Sequence, residues 1–357
     1  MDQYITLEST KVFFSPTNGA EVYELEILAG GASFSQTFTE TTFSTKTIHE
    51  PGSFISDGVF KKANPASFSF TVPLYDTGHP LWNYLVNTNS SNNLDSFTLW
   101  FIDKNKVFAL TDCILVGGTF SSTRGQVLSI SLEGEGSRLL TGTIDPRNYI
   151  YGDSYLDFAK ITSERTSAGL SSFPTFQSSD ILNFEGNIIW LNKVYFSDSV
   201  IDSFNNGYDI AVSDLWTDNI ISMTLELQNN ISWVPYETVQ GASEVTAETT
   251  QYPSDFVLTE RVLAGNTKIA IDTDTLGIFE NAINTGLNQK FFQAISLKVG
   301  LLQETPSSGD TGVSYLVSNG VNASSRVVPG PFYTYEIDWR HATNAQSLQN
   351  YLTFNTA

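Results

Sequence analysis

Much of the chain alternates in steps of two. In VLSISLEGEG, Leu128, Ile130 and Leu132 alternate with Ser129, Ser131 and Glu133. FYTYEIDW sets Tyr333, Tyr335, Ile337 and Trp339 against Thr334, Glu336 and Asp338, and MTLELQ sets Met223, Leu225 and Leu227 against Thr224, Glu226 and Gln228. Successive side chains of a strand point to opposite faces, so each run predicts a strand with one apolar face and one polar face free of Lys and Arg. FSQTFTE follows the same rule through Phe34 and Phe38, although Gln36 and Glu40 blur it. Helical spacing is confined to short segments. HPLWNYLVNTN has Pro80 at a helix start with Leu81, Trp82 and Leu85 on one side, and LGIFENAINTG places Ile278, Phe279 and Ala282 likewise.

These elements come round twice. TKVFFS (Thr10 to Ser15) returns as NKVYFS (Asn192 to Ser197), and the strand FSQTFTETTF returns as MTLELQNNISW. Each is followed by a long irregular segment, Thr47 to Pro65 and Tyr236 to Asp255, and then by a strand, SFSFTVPLY and NTKIAIDT. Next come the two helix candidates, the strands DSFTLWFID and FFQAISLKV, and hairpins over 117–136 and 319–339 that carry SSTR and SSR at similar points. Order kept over so many features indicates an internal duplication. The expected division is a first domain at 1–140, a linker or arm at 141–186 whose SYLDFAKITSE has helical character, and a second domain at 187–357. Long strands with one apolar face are an aggregation hazard unless paired, and closing a sheet across subunits removes the edge.

Composition narrows the chemistry. A chain of 357 residues with 41% hydrophobic and 13% aromatic residues can bury a substantial core. Lys+Arg 18 against Asp+Glu 38 gives a net charge of -20, which excludes nucleic-acid binding by phosphate neutralisation. The single Cys113 lies in an apolar run and reads as a buried structural thiol. The N-terminus MDQYITLEST has no basic and apolar signal pattern, and no apolar run approaches the roughly 18 residues that span a bilayer, so synthesis and folding in a cytosol without a membrane partner are expected. His49, His79 and His341 are scattered without ligand spacing, and DTDT (Asp272 to Thr275) lacks the Gly and Glu of a calcium loop. No nucleophile elbow, phosphate loop or dinucleotide fingerprint occurs, so neither catalysis, nor a metal, nor a cofactor is expected.

The opening TKVFFSPTNGAEVYELEILAGGASFSQTFTETTF, the segment from HEPGSF to SFSFTVPLY, HPLWNYLV, LTDCILVGGTFSSTRGQVLSISLEGEGSRL and NNISWVPYETV together resemble the tail tube proteins of non-contractile bacteriophage tails. The duplication makes the chain most similar to the double-domain type of T-five-like siphophages. The resemblance implies a mainly β fold: two tandem tail-tube-type β-sandwich domains, each with a flanking short α-helix and long hairpin strands that join an inter-subunit β-barrel. It implies trimeric, pseudo-hexameric rings, stacked into a virion tail in the host cytoplasm. The implied partners are further copies of the chain, a tape measure protein in the lumen, tail terminator and distal tail or baseplate proteins at the ends, and double-stranded DNA in transit. It puts Leu128, Ile130, Leu132, Tyr333, Tyr335 and Ile337 in sandwich cores. Ser129, Ser131, Glu133, Thr224, Glu226, Thr334, Glu336 and Asp338 would face the lumen, and His49, Glu50, Pro51, Gly52 and Phe54 would touch the adjacent ring. An acidic lumen would repel the DNA backbone and let it slide. The chain departs from the pattern in stopping at YLTFNTA, without an appended immunoglobulin-like domain. Two alternatives stay open: a distal tail or baseplate ring protein with a tube-like fold, and a β-sandwich adhesin whose Trp82, Trp190, Trp216 and Trp233 stack on sugars.

Overall fold

A computed structural model of the chain describes residues 10–17, 22–28, 32–44, 56–74, 79, 81–103, 106–123, 126, 128–143, 149–150, 155–156, 181–182, 190–197, 215–217, 220–234, 250–253, 255–272, 291–300, 312–341 and 352–356. The fold is mainly β. Its largest feature is a continuous antiparallel run of eight strands: β1 (Ala32–Ser35), β2 (Ala66–Pro73), β3 (Lys106–Thr123), β4 (Ser129–Gly136), β5 (Ile220–Val234), β6 (Asp255–Ala270), β7 (Gly312–Val328) and β8 (Thr334–His341). Their spatial order is β1-β2-β4-β3-β5-β6-β8-β7. The N-terminal four pair in the same sequence as the C-terminal four.

A second layer repeats in the same way. In the N-terminal half the strands Val22–Leu25, Lys11–Pro16, Phe97–Asp103, the first part of β3 and Arg138–Thr143 lie side by side. In the C-terminal half Leu215–Thr217, Trp190–Ser197, Phe291–Gly300, the first part of β7 and Leu352–Thr356 do the same. β3 thus serves both layers, and between its two parts Asp112 sits at φ 51, a left-handed conformation that Asp tolerates better than most residues. Ile181–Leu182 joins this layer in parallel with Val22 and Tyr23.

Alternation explains which face is inside. Phe68, Phe70, Val72, Ile130, Leu132, Met223, Leu225, Leu227, Ile269, Tyr335, Ile337 and Trp339 are all buried in one cluster that runs through both halves. The halves fill their space in opposite ways. At Gly134 a Cβ would fall into the Phe68 ring, while at Gly265, the neighbour of Trp339, a Cβ would fall into the indole. Each half therefore sets one large aromatic over one glycine, on exchanged strands. Tyr333 departs from expectation: it is 61% exposed, because the strand has already left the core at the hairpin tip.

The helix α1 (Leu81–Val86) forms where predicted and buries Leu81, Trp82, Leu85 and Val86, with Leu85 pressed against Gly118. The C-terminal helix candidate lies outside the described residues. Other expectations are corrected. FSQTFTETTF is two strands, broken after Ser35, and its second part (Phe38–Ser44) pairs with Ser56–Ala63, within the segment expected to be irregular. Thr250–Gln251 adds to that hairpin in parallel. At the start of SYLDFAKITSE, Tyr155–Leu156 is a short strand rather than a helix.

His79 ties pH to this architecture. Its buried Nδ1 accepts from the Leu81 amide at 3.3 Å, at the start of α1, and burial pulls its pKa down to about 4. Below its unfolded value of 6.5, the unfolded chain takes up a proton that the folded chain refuses. Stability should therefore fall as pH drops from about 6.5 towards 4, by up to about 3 kcal/mol. Urea midpoints between about pH 6.5 and 5, above the main carboxylate range, check this. His79→Asn, which keeps an acceptor, should flatten the slope; an unchanged slope refutes the assignment.

Candidate functional site

The outward face of the eight-strand run is mostly polar, with the exposed valines Val234, Val257 and Val262 on β5 and β6 as exceptions. On β1, β2 and β4 it carries hydroxyls that bond in pairs, Ser33 with Ser69 at 2.9 Å, Ser35 with Ser67 at 3.0 Å and Thr71 with Ser131 at 3.0 Å, and the exposed Glu133 stands beside them. On β6, β7 and β8 it is built from charges. Lys268 Nζ lies 2.8 Å from Glu336, and Arg326 Nε donates to the same carboxylate at 2.6 Å. Asp338 accepts from Asn266 and from Ser324, each at 2.6 Å. The bonds from Lys268 and then Arg326 hold the Glu336 carboxyl below its ordinary range, and those from Ser324 and then Asn266 do so for Asp338.

Strand alternation places Ser129, Ser131, Glu133, Thr224, Glu226, Glu336 and Asp338 together on this face. Thr334 is on the same side but buried, and its hydroxyl donates to the Val328 carbonyl. The face is not free of Lys and Arg. Lys268 and Arg326 stand on β6 and β7, whose mixed sequences NTKIA and NASSRVV hide the alternation. The loop residues His49, Glu50, Pro51, Gly52 and Phe54 lie outside the described residues. Of the tryptophans considered for sugar stacking, Trp82 is buried and Trp233 donates to Glu135 at 2.7 Å; the side chains of Trp190 and Trp216 lie outside the described residues. Among the described residues no group of His, Cys, Asp and Glu could hold a metal ion.

The join between the halves is the second part of the site. β5 pairs with β3 through Thr224 opposite Ser121, Leu225 opposite Phe120 and Glu226 opposite Thr119, and both Leu225 and Phe120 are 1% exposed. A buried polar clamp locks it. Asn229 Nδ2 donates to the Leu85 carbonyl at the end of α1 (3.1 Å) and to the Leu115 carbonyl (2.9 Å). Arg261 donates from Nε to Asn229 Oδ1 and from Nη2 to the same Leu85 carbonyl, each at 2.7 Å. Burial lowers the Arg261 pKa to about 10, which leaves it charged at neutral pH. Sequence reading missed both residues; the signal was Arg261 interrupting the apolar alternation of FVLTERVLAG.

The two ends of the run are open among the described residues: β1 pairs only with β2, and the 322–328 part of β7 only with β8. Aligning the halves on their buried positions (Ile130, Leu132, Gly134 with Tyr335, Ile337, Trp339) makes β1 the counterpart of β5 and β7 the counterpart of β3. Phe34, opposite Phe68, then matches Leu225, opposite Gly265; Val327, opposite Tyr335, matches Phe120, opposite Ile130. Phe34 is half-buried and Val327 is 42% exposed. The open edges carry the apolar positions that the internal join buries.

No protein-family profile matches the chain, and no curated protein matches it. Among solved structures, it is similar to a chain of the PVC sheath-tube complex of an extracellular contractile injection system in the extended state, at 8% identity over 40% of this chain and 93% of that one, with a TM-score of 0.30. A chain of the tube-terminating cap of the anti-feeding prophage gives 9% identity over 40% and 93%, and one of its baseplate 12% over 41% and 99%, each with a TM-score of 0.29. Likenesses of this size fix neither the chain's family nor its function.

Proposed function

We propose that the chain is a structural subunit of a phage-type tail tube, and that its two halves are two tube domains arranged head to tail. One observation carries this reading: the chain already contains one finished copy of the join that its two open edges would make with other copies. Repeating the β3–β5 register there puts Ser33 opposite Val328, Phe34 opposite Val327 and Ser35 opposite Arg326 of the next chain. The contact is heterologous, and it closes into a ring when its rotation is a whole fraction of a turn.

Size selects the ring. Twenty-four strands, from three chains, at about 4.8 Å spacing give a backbone diameter of roughly 37–48 Å depending on tilt; two chains would give roughly 24–32 Å, from which the inward side chains on both sides must be subtracted. Three chains leave room for a nucleic-acid duplex, and the ring looks sixfold because each chain supplies two similar halves. The polar face then lines the lumen, in alternating hydroxyl and charged sectors. Its acids outnumber its bases, so it repels phosphates, while Glu336 engages two of its cations, Lys268 and Arg326. DNA in transit, a tape measure protein during assembly, and terminator and distal tail proteins at the ends are the partners of such a tube in a virion tail, assembled in the host cytoplasm.

Electron microscopy of the purified chain tests the reading. Stacked rings of three chains with sixfold appearance are expected. Six chains per ring, or a chain that stays monomeric up to its solubility limit, would refute it; closed single rings that never stack would instead assign the chain to the end of a tail.

A further inference from the structure

The β7–β8 hairpin ends in Pro329-Gly330-Pro331-Phe332-Tyr333, and its two aromatic residues are 55% and 61% exposed. The N-terminal half does otherwise at the same place. Leu128 is the backbone counterpart of Tyr333, since Leu74 N donates to the Leu128 carbonyl as Ile271 N donates to that of Tyr333, yet Leu128 is fully buried. One hairpin tip thus offers aromatics to solvent and the other does not. The flanking prolines fix φ on either side of Gly330, so little backbone freedom remains to be lost on docking.

The opposite end of the same sheet has an apolar patch. Beyond the last pair with β8, the β5–β6 ribbon continues to Val234, opposite Asp255, and Val257, opposite Ser232. These two valines are 40% and 52% exposed, on the outward face, while Trp233 and Phe256 pack together on the inward face. From Ile271, beside the tip, to Val257 is roughly 45 Å along β6 at about 3.3 Å per residue.

We propose that Phe332 and Tyr333 of one ring dock on the Val234–Val257 patch of a chain in the next ring, forming an axial contact separate from the loop around His49; this rests on the tube reading above. The occupant is a second copy of the chain because the two patches lie at opposite ends of identical strands. Within one ring they stand a full strand length apart and cannot meet. Between rings they face each other, and a contact joining opposite ends of one subunit type propagates without closing. Area supports it. Two half-exposed aromatics offer about 100 Å² each, so three tips and the surface they cover bury roughly 1,200 Å², within the range of specific interfaces. The hairpins are also the strands that form the seam, so the tip is held by the ring itself.

The test compares tube formation by the full chain and by Phe332→Ser/Tyr333→Ser, using sedimentation and electron microscopy over a concentration series. The variant should keep its unfolding midpoint and form rings, with the critical concentration for stacking raised at least tenfold. Val257→Asp, at the other end, should give the same arrest. Variant tubes at the unchanged concentration would overturn the inference and leave the tube reading standing. So would loss of the rings themselves, which would place the tip in the seam, or normal stacking by Val257→Asp, which would place its dock elsewhere. A parent chain that forms neither rings nor tubes would defeat the tube reading, and this inference with it.

Discussion

Val327→Asp should yield a chain that folds as the parent does and forms no rings. Val327 is 42% exposed, so a carboxylate there stays in water and should cost within about 0.5 kcal/mol of folding stability. In a ring built on the β3–β5 register, Val327 takes the place that Phe120 holds inside the chain, where exposure falls to 1%. An aspartate carried into that seam is set opposite the apolar Phe34 of the next chain. Desolvating it costs several kcal/mol per seam, and a ring has three. Sedimentation velocity at concentrations where the parent assembles should show a monomer with an unchanged unfolding midpoint. Val327→Ile should assemble normally. The equivalent change on the other edge, Phe34→Asp, is less informative, because Phe34 stacks on Phe101 at 4.4 Å and the fold itself would suffer. Rings formed by Val327→Asp at the parent's concentration would mean that the open edges are not sealed as the internal join is, and threefold closure would lose its basis.

What was legible in the sequence follows from how local each cause is. The hairpin strands of β4, β5 and β8 announce their buried faces because their alternation is clean, and α1 announces itself through Leu81, Trp82 and Leu85. Gln36 looked like noise in an alternating strand. Its side chain in fact bonds the Asn64 and Ser137 carbonyls and the Leu139 amide, at the point where the chain leaves one sheet for another. Ser56–Ala63 was hidden because SDGVFKKA carries a glycine and adjacent lysines, poor strand residues that its pairing with Phe38–Ser44 overrides. The likeness of SSTR to SSR misled in detail: Ser121 pairs with Ser129 at the hairpin end, whereas Ser324 and Arg326 pair with Asp338 and Glu336 deeper in the strand. Arg326 consequently lands on the polar face beside Glu336, a placement that only the cross-strand register determines. The join of β3 to β5 was beyond sequence reading for the same reason. Nothing in either strand names its partner a hundred residues away; bulges at Leu115/Gly117 and Asn230/Ile231 shift the phase on both sides of the contact.

Asn229→Ala should be among the most damaging single substitutions in the described part of the chain, and Arg261→Met should be much milder. Asn229 is 2% exposed and satisfies three groups at once: the Leu85 carbonyl, the Leu115 carbonyl and the Arg261 guanidinium. Truncating it strands a buried carbonyl and strips a buried cation of one acceptor, a loss of about 3–5 kcal/mol. Arg261→Met removes the cation and keeps the volume. The Leu85 carbonyl still receives Asn229 Nδ2, so the cost should be about 1–2 kcal/mol. The pair is in direct contact, so the double variant should cost less than the sum, by about 1 kcal/mol or more. Urea unfolding of the single and double variants measures this cycle. A further consequence separates a clamp from ordinary packing. Because Asn229 and Arg261 belong to the C-terminal half and Leu85 and Leu115 to the N-terminal half, Asn229→Ala should make the halves unfold in separate transitions. Each probe would report its own: Trp100, buried and donating to Ser15, for the first half, and Trp339, buried over Gly265, for the second. Coincident transitions with a small, additive cost would show that apolar contacts along Leu225 and Phe120 hold the halves together unaided. The open edges would then need no polar lock either.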